Sequence, residues 1–283
     1  MKVNLPVLEL ENFGYIPSEE ILITVQLALM LNKPILIEGP PGTGKTSLAV
    51  ATAQTLNREL IRIQCYEGID AVQIIGEFNY RKQLLQLQKD EIKKDSNSDI
   101  FSYEYFIPRP LFKAFTSEKE IVLLIDEIDS ADEEFFAYIL EALGENQITI
   151  PELGTIKSKS VPLVFMTSNN KQDLPEALRR RALYLYIDFP DQNREAEIVK
   201  KHCPDITDNL VKSLTYIVQE IRKLDLRKQP SISESIDWAR SLLTLNTQID
   251  VASVNKTLNV IIKHNEDIDL VKKTLTSILS NQA

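Results

Sequence analysis

The sequence predicts an α/β fold, with a five-stranded parallel sheet sandwiched between helices over residues 1–190 and a small all-α domain over residues 191–283. Three observations predict it. Short apolar or β-branched runs alternate with amphipathic stretches from about residue 34 to residue 190. A glycine-rich loop directly follows the first of those runs. From about Asp191 onward the hydrophobic spacing is helical only.

Taken in order, Ser18 with Glu19 and Glu20 behind it opens a helix running to about Leu31. The predicted strands are Ile35 to Glu38, Glu59 to Gln64, Ile121 to Asp126, Leu163 to Thr167 and Leu183 to Ile187. The third begins Ile121-Val122-Leu123-Leu124-Ile125, apolar at every position, as a strand covered by helices on both faces must be. Between the second and third strands the chain makes a long excursion. Its polar middle, Gln88 to Asp99, has little to bury and reads as an exposed insertion. The segments Cys65 to Asp70 and Phe101 to Phe115 read as packing. Gln147 to Ser160 reads as a hairpin turning near Gly154. In the C-terminal part, helices are expected over about Val211 to Leu224, Val251 to His264 and Ile268 to Leu279. Another is headed by a capping box of Ser231 and Glu234.

The chain has 283 residues, 43% of them hydrophobic, enough for one large core or two smaller ones. No run approaches the roughly 18 to 20 apolar residues of a membrane span, and Ile21 to Leu31 is interrupted by Thr24 and Gln26. Met1 to Leu10 carries no export pattern, which makes cytoplasmic the expected location. Cys65 and Cys203 stand far apart and in no metal-like spacing with His202 or His264. The net charge is −9. Residues 191–283 hold 13 basic and 13 acidic side chains, so the excess lies upstream, where 28 acids face 19 bases. A surface of that sign argues against nucleic acid as the main partner.

The chemistry begins at Gly39-Pro40-Pro41-Gly42-Thr43-Gly44-Lys45-Thr46-Ser47, where a strand meets a glycine-rich loop and then a helix. In that context the backbone amides turn inward to wrap phosphates, Lys45 adds a cation, and the Thr46 hydroxyl is placed to bind Mg²⁺. The third strand ends in Asp126-Glu127. One carboxylate there reaches the metal and the other orients a water for attack on the γ-phosphate. The following acids, Asp129, Asp132 and Glu133, read as favouring the next helix N-terminus, with Ser130 and Glu133 as its capping box. Asn169, after the fourth strand, lies beside Glu127 if the sheet is parallel. Arg179-Arg180-Arg181 precedes the fifth strand, and an arginine offered to a neighbouring subunit's γ-phosphate makes hydrolysis depend on assembly.

With the loop, Ile125-Asp126-Glu127, Asn169 and Arg181 in this order and spacing, the chain resembles the AAA+ ATPases, and within them the MoxR group. Leu60 to Gly68, Glu77 to Gln83, Ile150 to Ile156 and Asp237 to Arg240 are similar to its CoxD-like branch. The resemblance implies a P-loop NTPase αβα sandwich with a helical lid, an insertion over about 80–106, and a hairpin over about 147–160. It implies ATP and Mg²⁺ as ligands. Lys45 would meet the β- and γ-phosphates, Thr46 and Asp126 the metal, and Glu127 would be the catalytic glutamate. Asn169 would be the sensor-1 residue and Arg181, with Arg180 its competitor, the finger acting in trans. The lid helix lacks the arginine that many relatives place at its start, leaving Arg227 and Lys228 as substitutes for sensor 2. The resemblance further implies a hexameric ring working with a von Willebrand A domain protein on a client enzyme such as a molybdenum hydroxylase. A nucleic-acid motor such as a clamp or helicase loader is the alternative, and a small-molecule kinase a third.

Overall fold

The computed structural model describes residues 6–93, 99–246 and 249–280. Residues 94–98, in the middle of the expected insertion, lie outside this range. The chain forms two compact units. Among the described residues, one comprises those up to Leu8, Glu19–Glu38 and those from Ala49 to Tyr186, and the other Glu9–Ser18, Gly39–Leu48 and those from Ile187 to Ser280.

The first unit opens with helix α1 (Glu19–Leu31) and strand β1 (Ile35–Glu38). Helix α2 (Lys45–Thr55) then leads into β2 (Glu59–Gln64). The excursion contains α3 (Ala71–Ile74), β3 (Gly76–Phe78), α4 (Tyr80–Lys93), β4 (Phe106–Pro108) and α5 (Pro110–Thr116). Next come β5 (Ile121–Asp126), α6 (Glu133–Glu145), the hairpin β6 (Gln147–Ile150) and β7 (Gly154–Lys157), β8 (Leu163–Ser168), α7 (Glu176–Arg179) and β9 (Leu183–Tyr186). The main sheet is parallel, in the order β2-β5-β8-β1-β9. Its three inner strands are buried at every position, whereas both edge strands mix buried with exposed residues. That division follows from coverage: an inner parallel strand has helices on both faces, and an edge strand meets solvent along one side.

All five expected strands form, with β8 one residue longer and β9 one residue shorter than the sequence suggests. The excursion is more ordered than its polarity implied. Helix α4 carries the polar stretch as far as Lys93, and β3 pairs antiparallel with β4, matching Phe78 to Phe106. The Phe78 and Phe106 rings meet edge-on at 5.4 Å, and Phe106 packs on Phe112 at 4.9 Å, so Tyr105, Phe106, Phe112 and Phe115 of the aromatic run fill a core while Phe101 and Tyr103 stay exposed. The expected Ser130–Glu133 capping box does not form. Ser130 closes a short 3-10 turn and Asp132 stands at the N-cap of α6.

The second unit holds helices α8 (Gln192–His202), α9 (Asp208–Arg222), α10 (Ile232–Leu245), α11 (Val251–Ile261) and α12 (Asn265–Ser280). Helix α9 buries Val211, Leu214, Val218 and Ile221, spaced three and four apart on one face. Ser231 and Glu234 form the expected capping box at the head of α10. The wholly buried Trp238 donates its indole N–H to Thr257 Oγ1 at 2.8 Å, which removes the cost of burying that donor.

A buried ion pair ties these helices together. Arg222 Nη1 and Nη2 each donate to a Glu195 oxygen at 2.7 Å, while Ser235 and Gln219 donate to the same carboxylate. Arg222 Nε donates to Pro230 O, and the guanidinium lies 4.4 Å from the Phe189 ring centre. Each charge is thus matched by its partner and by neutral donors or acceptors, and removing one partner strands the other. Arg222→Ala is expected to cost about 3–5 kcal/mol, read as a lowered urea midpoint.

Candidate functional site

In the sheet unit, Asp126, Glu127 and Asn169 stand at the C-terminal ends of the neighbouring strands β5 and β8. Asp126 closes β5 and is 3% exposed. Its Oδ1 accepts from Thr167 Oγ1, and its Oδ2 accepts from Arg62 Nη2, which also donates to Gln64 Oε1 at 2.6 Å. Glu127 follows with φ of +53°, a left-handed backbone that costs an L-residue roughly 1–2 kcal/mol. The hydrogen bond from its N–H to Thr167 Oγ1 at 2.9 Å fixes that conformation. The reversal turns the Glu127 carboxylate out of the strand direction, where it accepts from Lys171 Nζ at 3.0 Å. This contact is the main reason the Lys171 ammonium is held above its ordinary pKa.

Asn169 stands on the loop after β8, as expected, and Asp129 fixes that loop. The Asp129 side chain is buried, and its Oδ2 accepts from the backbone N–H of both Asn169 (2.9 Å) and Lys171 (2.8 Å). Lys171 Nζ also donates to Ser130 Oγ at 3.0 Å, and Gln172 Nε2 donates to Ala131 O at 2.8 Å. The acidic turn and the asparagine loop thus form one hydrogen-bonded assembly. Sequence reasoning assigns Asp129 to the next helix and passes over Thr167, Lys171 and Arg62. Asp129 is legible there only as a third acid after the strand; what it grips lies 40 residues away. Cys65, beside these acids, has its thiol pushed up to about 12, first by burial and then by the charges of Asp126, Asp129 and Glu127.

The three arginines separate. Arg179 turns into the sheet and donates to Glu38 at 2.7 Å. Arg180 pairs with Glu176 in solvent, and Arg181 is exposed, donating to Ala177 O and lying over Gly144 of α6.

The phosphate loop belongs to the helical unit. Lys45 is buried, and its Nζ donates at 2.7 Å to the carbonyls of both Gly39 and Pro40, while Thr43 Oγ1 donates to Pro40 O. The ammonium is thereby held across the mouth of the loop. Gly42 has φ of +75°, and its carbonyl accepts from Ile232 N–H at the head of α10. A Cβ at Gly42 would stand 2.3 Å from Ser231 Cβ, and one at Gly39 would stand 2.0 Å from Ile187 O. Only glycine fits either position. A glycine-rich loop with positive φ at Gly39, Gly42 and Gly44 and a resident cation suits a polyphosphate. Gly42→Ala is expected to cost at least about 1–2 kcal/mol from its backbone alone and to weaken nucleotide binding, read by thermal melting and by titration with a fluorescent ADP analogue.

Tyr15 packs on Gly44, and burial pushes its phenol up to about 12, with the Arg194 cation opposing. The two sensor-2 substitutes are both held by acids of the helical unit. Arg227 lies 3.5 Å from Glu266, and Lys228 Nζ lies 3.0 Å from Glu234.

A family model described as AAA domain (dynein-related subfamily) matches residues 34–182. Among curated proteins, the chain is 25% identical over 254 residues to an uncharacterized protein of Staphylococcus saprophyticus, covering 87% of this chain and 90% of that one. An uncharacterized protein of Staphylococcus haemolyticus is 27% identical over 251 residues, covering 86% and 89%. Among solved structures, a point mutant of Thermotoga maritima RuvB matches with a TM-score of 0.56 at 19% identity, over 90% of this chain and 72% of that one. A structure described as the Thermotoga maritima RuvB Holliday junction branch migration motor matches with a TM-score of 0.52 at 19% identity, over 86% and 67%.

Proposed function

The chain belongs to the AAA domain family, dynein-related subfamily, and is an ATPase; from that premise we propose that it is a MoxR-type motor, assembled as a hexameric ring, that couples ATP hydrolysis to remodelling or maturing a protein complex. In this reading the loop from Gly39 to Ser47, with Lys45 as its cation, takes the phosphates of ATP. Thr46 and Asp126 supply the hydroxyl and carboxylate oxygens that suit Mg²⁺, which neutralises phosphate charge when bound. Glu127 orients the attacking water with help from Asn169. Arg181 serves the neighbouring subunit's γ-phosphate. The partner is a von Willebrand A domain protein and the client a metal-cofactor enzyme such as a molybdenum hydroxylase, with the cytoplasm as the location. Among the described residues no helix is long and apolar enough to cross a membrane.

The observation that carries a protein client is the charge of −9, all of it from the part of the chain upstream of residue 191, since such a surface repels a phosphate backbone. The second reading, a nucleic-acid-linked motor, is favoured by the fold likeness to RuvB, described as a Holliday junction branch migration motor. At 19% identity that likeness extends to fold alone. A pull-down with Glu127→Gln and ATP is expected to recover protein partners. Recovery of none, with strong salt-sensitive stimulation of hydrolysis by DNA, would reverse the ranking.

A further inference from the structure

We propose that Glu38 is a positioning residue that sets the pose in which a subunit presents Arg181 to its neighbour; this rests on the in-trans reading of Arg181 given above. Glu38 is the last residue of β1 and is 3% exposed. A carboxylate buried to that degree persists only when both oxygens are held, and both are. Oε1 accepts from Arg179 Nη2 at 2.7 Å, and Oε2 accepts from the Tyr184 hydroxyl at 3.0 Å. Tyr184 lies on β9, the strand that pairs with β1, and burial together with the Glu38 contact raises its phenol pKa.

The helix held this way is α7, four residues long. One helical turn has almost no stability of its own, so its orientation comes from what it is attached to. Leu178 is fully buried in the sheet core, and Arg179 is clamped to Glu38. The next two residues carry the exposed arginines. Arg180 spends its guanidinium on an exposed pair with Glu176, while Arg181 reaches back to Ala177 O within the same turn. Neither contact ties α7 to the sheet, whereas the Arg179 clamp does, so Arg179 sets the rotation of α7 about Leu178 from which Arg181 extends over Gly144 of α6. Glu38 is also joined covalently to Gly39, the first residue of the phosphate loop. One residue is therefore the chain neighbour of the loop a subunit uses itself and the anchor of the arginine it gives away.

The competing explanation is that Glu38 merely supports its own subunit's loop. Subunit mixing separates the two. Glu127→Gln subunits have an inactive site but an intact arginine; Arg181→Ala subunits have the reverse. Glu38→Gln alone is expected to lose about 10- to 100-fold in turnover, the scale of a misplacement near 1 Å, with affinity for a fluorescent ADP analogue unchanged within about twofold. Mixed with Glu127→Gln subunits it should regain turnover, and mixed with Arg181→Ala subunits it should not. The opposite pattern, rescue by Arg181→Ala alone, would place the defect in the subunit's own site and overturn the proposal, as would full activity of Glu38→Gln by itself. If Glu127→Gln and Arg181→Ala fail to rescue each other, the in-trans reading itself falls and takes the proposal with it. Should Glu38→Gln prove insoluble, Arg179→Gln is read in the same mixtures with the same expected pattern.

Discussion

Arg181→Ala is expected to lower ATP turnover by about 10³- to 10⁵-fold, the range by which an arginine supplied to a transferring γ-phosphoryl group accelerates hydrolysis. The fold should survive the change, because the side chain is exposed and its hydrogen bond goes to Ala177 O within its own helical turn; exposed substitutions of this kind shift stability by about 0.5 kcal/mol or less. Loss of activity would therefore come with an unaltered melting curve and unaltered binding of ADP. Wild-type specific activity should rise with protein concentration as the arginine of one subunit meets the site of another, and that rise should vanish in the variant. Arg180 is the internal control. Its partner Glu176 is largely exposed, an arrangement that contributes little to stability. Undiminished turnover in Arg181→Ala with loss in Arg180→Ala would move the assignment by one residue.

Glu127→Gln should reduce kcat by about 10²- to 10⁴-fold, the contribution of a group that activates water as general base, while nucleotide binding is retained. Binding should survive because, in the function proposed above, the phosphates are taken by Gly39 to Ser47, and Glu127 lies outside that loop. The left-handed backbone at Glu127 is held by its own N–H on Thr167 Oγ1, a bond that glutamine keeps. The contact that weakens is the exposed pair with Lys171, worth about 0–1 kcal/mol. A pre-steady-state measurement separates the two effects: ATP should bind at the wild-type rate and then remain uncleaved. Fast cleavage in this variant would show that another group orients the water and would remove Glu127 from its role.

The strands were readable because burial leaves a mark on composition. A strand such as β5, covered on both faces, needs apolar residues throughout, and Ile121 to Ile125 supplies them whatever surrounds it. The excursion before β5 was less readable, since its order comes from the pairing of Phe78 with Phe106 and not from local periodicity. The same distinction runs through the site. The phosphate loop is local chemistry: Gly42 must be glycine because of its positive φ, and the backbone amides of a loop need no distant partner to face a phosphate. Gly39 to Thr46, the acids that end β5 and the helical character of the C-terminal part were all determined by the sequence itself. Only the tertiary structure decided how the other polar residues divide their work. It sent Arg179 inward to Glu38 and left Arg181 in solvent, although the two arginines are chemically identical and lie in one short turn. It gave Asp129 the loop of Asn169 in place of a helix terminus, and it brought Lys171 to Glu127. Each choice depends on which strand ends lie side by side, and hydrogen bonds between residues 40 to 141 positions apart have no signature in a single sequence.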